Sequence, residues 1–105
     1  MAINVVIYVP PNGQQVPFSP PPPELVASGT VDALPLRMAY QIDDGALTAM
    51  DVNQLHQIQG QQRWGWSITL TATDCPNQNT WYALVVFAYD DAGSYSQTSD
   101  FYRTT

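Results

Sequence analysis

Few folds accept the stretch Trp-Tyr-Ala-Leu-Val-Val-Phe-Ala-Tyr-Asp-Asp-Ala-Gly-Ser-Tyr that occupies residues 81–95. Residues 81–89 have high strand propensity, Asp90-Asp91-Ala92-Gly93 carries turn chemistry, and an alternating run follows to the C-terminus, so the pattern predicts a β-hairpin. Side chains of a strand alternate between faces. Tyr82, Leu84, Val86, Ala88 and Asp90 therefore share one side, and Trp81, Ala83, Val85, Phe87 and Tyr89 share the other. Both sides are apolar. Such a strand belongs in the middle of a sheet with each face shielded from water. A second sheet is expected to supply one shield, and the N-terminal hairpin, the segment 46–62 or a partner molecule the other.

The remaining chain reads as further strands. Ile3–Val9 is a β-branched run ending at Pro10-Pro11-Asn12-Gly13, and Gln14–Phe18 is expected to return beside it as a weaker arm, with Pro17 confining that arm to an edge. Pro20–Pro23 predicts an extended polyproline strut. In Leu25–Val31 the Ser28-Gly29-Thr30 segment points to a close backbone approach at the glycine. Leu36, Met38, Tyr40 and Ile42 alternate with Arg37, Ala39 and Gln41 up to the Asp43-Asp44-Gly45 turn. Residues 46–62 keep no clean period and are expected to form a short crossing strand and an irregular loop. Trp64, Trp66, Ile68, Leu70 and Ala72 then face inward against Gly65, Ser67, Thr69 and Thr71. Six or seven short strands with turns between them predict an all-β sandwich. It would be one domain over 1–105: an N-terminal hairpin or extra strands in 1–19, a proline-rich strut in 20–24 and the sandwich in 25–105.

Composition narrows the function classes. With 45% hydrophobic and 11% aromatic residues the chain can fill one core. It has no lysine, and Arg37, Arg63 and Arg103 face nine carboxylates, for a formal charge of -6. That charge repels phosphate backbones and anionic lipid, which argues against nucleic-acid partners and membrane attraction. The apolar run near Met1 lacks a basic leader and is too short for a signal peptide or a membrane span. Either the chain works where it is released or it is an excised domain. Cys75 and His56 are each the sole residue of their type, so an intrachain disulfide and a cysteine-cluster metal site are excluded. Cys75 is expected to be a small loop thiol and His56 a surface residue. No Ser-His-Asp ordering, phosphate-cradling glycine loop or framed carboxylate pair is present. The chain is therefore read as non-enzymatic and without cofactor or metal, and Asp43-Asp44 and Asp90-Asp91 as turn residues.

Four segments together resemble bacterial and phage immunoglobulin-like domains: Ser28-Gly29-Thr30-Val31, then 38–45 from Met38 to Gly45, then Trp66-Ser67-Ile68-Thr69-Leu70, then 82–93 from Tyr82 to Gly93. The resemblance covers about residues 25–101 and implies an immunoglobulin-like β-sandwich of about seven strands, with Trp66 in the core and Tyr82 at the tyrosine-corner position. It also implies a spacer, an adhesin or an appended module of a bacterial surface or phage virion, without catalysis of its own. The absent cysteine pair separates the chain from antibody-type domains. Its N-terminal hairpin and proline tract lie outside the pattern.

The outward face of the central hairpin is the candidate binding surface. Trp81, Val85, Phe87 and Tyr89, joined by Tyr95 and Phe101 across the hairpin and by Ala39 alongside, are expected to present an aromatic surface on the order of several hundred Å². Such a surface fits a protein partner or self-association. A carbohydrate-binding module is the competing class, with Trp64, Trp81 and Tyr89 stacking on pyranose rings; Trp64, beside Arg63, is read as more accessible than Trp66. A hydrolase would need two acids within about 5–10 Å in a cleft.

Overall fold

A computed structural model describes residues 3–18 and 23–104, which form two β-sheets packed face to face. In chain order the strands are β1 (Val5–Val9), β2 (Gln14–Pro17), β3 (Glu24–Val31), β4 (Arg37–Ile42), β5 (Thr48–Met50), β6 (His56–Gln57), β7 (Trp64–Thr71), β8 (Thr80–Asp90) and β9 (Gly93–Thr104). One 3-10 turn, Val52–Gln54, separates β5 from β6. The first sheet has the order β1-β3-β7-β6 and the second β2-β9-β8-β4-β5. All neighbours are antiparallel except β2 and β9, which are parallel. The described residues thus hold nine strands: β1 and β2 from the N-terminal segment and seven, β3 to β9, from the region where the sequence predicts about seven. Two of them, β5 and β6, are short and come from the segment 46–62, where the sequence predicts one short crossing strand and an irregular loop.

Period-two alternation builds the core. Ala27, Val31, Trp66 and Leu70 reach in from the first sheet, and Met38, Tyr82, Leu84, Val86, Ala88 and Phe101 from the second. Trp66 is buried, as its place in the alternating run requires. Leu36 departs from expectation: it precedes β4 and is 70% exposed, because the strand begins only at Arg37. Ala72 likewise falls in the turn after β7.

The N-terminal segment forms no hairpin. β1 joins β3 in the first sheet, and β2 crosses to run beside β9 in the second. Polar groups of the connecting loop, two from the backbone and one from the Asn12 side chain, find their partners on β9, which explains the crossing. The Pro10 carbonyl accepts the Ser99 hydroxyl at 2.6 Å, Asn12 Oδ1 accepts the Asp100 N–H at 2.8 Å, and the Gly13 N–H donates to the Asp100 carbonyl at 2.6 Å. The Ile7 N–H donating to Gln97 Oε1 at 2.7 Å adds a second tie between the sheets. β2 is an edge strand, where Pro17 costs no ladder bond. The polyproline strut expected over 20–24 lies outside the described residues, except that Pro23 is in a turn and Glu24 opens β3.

Cys75 lies in the loop between β7 and β8, as expected, but its thiol is enclosed by the core. It is fully buried, and its carbonyl accepts a hydrogen bond from the buried Arg103 guanidinium. The Arg103 guanidinium also lies 4.7 Å from the centre of the Phe18 ring, a cation–π contact. Burial, reinforced by Asp74 and opposed by Arg103, pushes the Cys75 thiol up to about 12. His56 is exposed, and its ring lies over Gly65.

Gly29 marks the close approach that its sequence position predicts. It pairs with Ile7 on one side and Trp66 on the other, and a Cβ there would stand 1.9 Å from the Val6 carbonyl oxygen and 2.6 Å from the Trp66 ring. Gly29→Ala is expected to cost about 3 kcal/mol in urea unfolding, and a loss under about 1 kcal/mol would refute this packing. The Cys75 thiol predicts a second outcome. Below its ordinary value of 9.0 it is neutral in both folded and unfolded chains; from there to about 12 only the unfolded chain ionises, so stability falls as pH rises. The slope contributed is at most about 1.4 kcal/mol per pH unit, and Cys75→Ala should remove it when urea midpoints at about pH 8 and about pH 10 are compared. Equal slopes for the two proteins would show that the folded thiol ionises normally.

Candidate functional site

The β8–β9 hairpin turns through two residues, Asp91 and Ala92, with Asp90 opposite Gly93. Asp90 Oδ1 accepts the N–H groups of Ala92 and Gly93, both at 2.9 Å, so this aspartate is a turn-former. That register decides the faces. Even residues of β8 oppose odd residues of β9: Tyr82 faces Phe101 and Ala88 faces Tyr95. Phe101 is therefore fully buried in the core, stacked on Tyr82 and Phe18, and Tyr95 packs against the same core. Neither joins the outer face, contrary to the sequence-based expectation. Tyr102 takes that place beside Trp81, with ring centroids 5.4 Å apart and planes at 64°.

The outer face of the second sheet can be followed in rows. At one end Arg37 stacks over Tyr89 at 4.4 Å. Phe87 follows beside Ala39, which in turn neighbours Ala49 of β5. Val85 lies beside Gln41, Ala83 lies between Asp43 and Asp100, and Trp81 and Tyr102 close the far end. β9 contributes Ser94, Ser96, Thr98 and Asp100 to this side, so the apolar surface is narrower than predicted and centred on β8. The Phe87 and Tyr89 rings stack at 6.3 Å.

Trp81 is 55% exposed, and Val85, Phe87 and Tyr89 are half-buried. Among the described residues no strand lies over them. β1 belongs to the opposite sheet, β2 extends the same sheet beyond β9, and residues 46–62 supply edge strands to both sheets. The expected cover by the N-terminal hairpin or the 46–62 segment is therefore absent, because hydrogen bonding places those elements laterally. β8 is central in its sheet, but the described residues enclose only its inner face.

Trp64 sits on the other sheet, half-buried and packed against the core, although it is more accessible than Trp66. Trp81 and Tyr89 are roughly 26 Å apart along β8 at 3.3 Å per residue. The three rings of the proposed sugar platform are not brought together. Asp43, which the sequence marks only as a turn residue, and Asp100, Asn12 and Tyr102, which it does not mark for this site, cluster instead around Trp81 and Ala83. Only the hairpin register, an odd-to-even pairing across a two-residue turn, could have signalled Asp100 and Tyr102 in advance. Among the described residues no group of three His, Cys, Asp or Glu side chains could hold a metal ion.

These features define a small all-β sandwich with one half-exposed aromatic sheet face. No family model matches the chain, and no curated protein does. Among solved structures, the endo-β-1,4-mannanase from Thermotoga petrophila superposes with a TM-score of 0.64 at 9% identity, over 100% of this chain and 20% of its own. The crystal structure of an engineered protein superposes with a TM-score of 0.57 at 16% identity, over 99% of this chain and 20% of its own. Both likenesses are of fold alone, and the chain spans about a fifth of either structure.

The two faces of β8 should respond differently to mutation. Leu84→Ala, in the core, is expected to cost about 3 kcal/mol, and Phe87→Ser, on the outer face, about 1 kcal/mol, both read from urea unfolding. Equal losses would place Phe87 in an enclosed core.

Proposed function

We propose that the chain is an immunoglobulin-like module without catalysis of its own, which joins a protein partner through the outer face of its second sheet, in a bacterial surface or virion assembly. The strand order supports the fold reading. β1-β3-β7-β6 corresponds to the A-B-E-D sheet of such domains, and β9-β8-β4 to G-F-C. Tyr82 supports it further: its hydroxyl accepts the Asn77 N–H at 2.7 Å and donates to the Asn77 carbonyl at 3.3 Å, the arrangement of a tyrosine corner. A fold that fills about a fifth of each solved neighbour suits an appended module.

One observation carries the interaction: Trp81, Val85, Phe87 and Tyr89 stand in line along β8, and no described strand covers them. Aromatic side chains in such a row bury large area at low conformational cost, as protein interfaces require. The dispersal of Trp64, Trp81 and Tyr89 weighs against the sugar platform that those rings would have formed.

A photo-crosslinking residue at position 87 should yield one discrete protein adduct in extract of the source cells, identified by mass spectrometry, and the same residue at Val26, exposed on the opposite sheet, should yield none. Equal labelling at both positions would overturn the proposal. So would saturable quenching of tryptophan fluorescence by neutral oligosaccharides that Trp81→Ala abolishes.

A further inference from the structure

At the Trp81 end of the outer face, β4, β8, β9 and the loop before β2 bring four residues into one lateral row. Asp43, just beyond β4, exchanges two hydrogen bonds with Ala83: its N–H donates to the Ala83 carbonyl at 2.8 Å, and its Oδ1 accepts the Ala83 N–H at 2.9 Å. Asp100 stands opposite Ala83 on the other side, and its backbone is held by Asn12 and Gly13. The floor between the two carboxylates is a single methyl group. Two residues along, Trp81 walls the row, its ring braced edge-on by Tyr102. The resulting open depression has a volume of about 460 Å³.

The chemistry of this depression favours one kind of guest. An indole face carries negative quadrupole potential, and the two carboxylates add formal negative charge beside it. Asp43 uses Oδ1 on the backbone and retains Oδ2 for another donor. The chain's own cations are engaged elsewhere: Arg37 covers Tyr89, Arg103 is buried against Phe18, and Arg63 donates to the Tyr8 hydroxyl at 3.4 Å. With a net charge of -6 and no lysine, a second copy of the chain is a poor occupant, since like charges would meet.

We propose that the depression over Ala83 receives an arginine or lysine side chain of the protein partner, its aliphatic stem over Ala83 and against Trp81 and its cationic head between Asp43 and Asp100. This rests on the protein-binding reading and specifies the partner's chemistry. The outer face then has two parts: the row from Val85 to Tyr89 supplies apolar area, and the Trp81 end supplies a charge-selective anchor.

The test uses the full chain and a short capped peptide, Gly-Arg-Gly, with Gly-Gln-Gly and cellobiose as comparisons. The arginine peptide should shift the backbone amide resonances of Ala83 and Asp100 saturably and quench tryptophan fluorescence. Affinity should fall about threefold or more between low salt and about 0.3 M salt. Asp100→Asn and Asp43→Asn should each weaken binding about fivefold, and asparagine at 43 retains both the acceptor and the tolerance for the local φ of 55°. An unchanged thermal midpoint confirms that these variants fold. The proposal is overturned if the glutamine peptide binds as well, if cellobiose shifts the same amides independently of salt, or if no probe shifts them. In the last case, a crosslink from position 87 that survives in the Asp43→Asn, Asp100→Asn double variant would leave the interaction face standing and remove only the cation anchor.

Discussion

The pairing of Asp90 with Gly93 across a two-residue turn is the constraint on which the second sheet depends. A shift of one residue would invert every side chain of β9. Phe101 would then leave the core, where it stacks on Tyr82 and Phe18, and Arg103 would lose its place beneath the Cys75 carbonyl. Tyr102 would leave Trp81, and Asp100 would leave the edge of the depression over Ala83. Asp90 secures the turn with one carboxylate oxygen shared between two N–H groups, so a local hydrogen-bonding preference sets a long-range division between core and surface.

Closure of the two sheets depends on contacts between segments far apart in the chain. Gly29 lets β1 and the Trp66 ring approach β3 from two directions. The loop from Pro10 to Gly13 then carries the chain to the other sheet by satisfying its polar groups on β9. That crossing gives the second sheet its parallel edge strand and brings Asn12 beside Asp100. The arrangement that seals one edge of the sandwich therefore also builds one side of the candidate anchor site. Structure and proposed function share the same hydrogen bonds there.

Much of the fold was legible because period-two alternation is a local property. Trp66, Leu70, Met38 and Leu84 all lie in the core that their alternating runs define. The misplaced residues share a different origin. Sequence alone places Tyr95 and Phe101 on the outer face as aromatic residues across the hairpin, and only the hairpin register corrects that. The N-terminal hairpin was expected because a strand, a turn and a second strand lie in sequence, but hydrogen-bond partners on β9 outcompeted the local return.

The sequence by itself determined that this chain is all-β, that residues 81–89 form its central strand, and that the glycine at 29 admits a neighbouring backbone, because propensity, alternation and the lack of a side chain act locally. Tertiary structure alone decided which apolar face of β8 would be enclosed and that Asp43, Asp100 and Asn12 would meet around Trp81. Those outcomes depend on the β8–β9 register, which a local turn sets, combined with the β4–β8 pairing and the crossing between sheets, which are settled by partners tens of residues away.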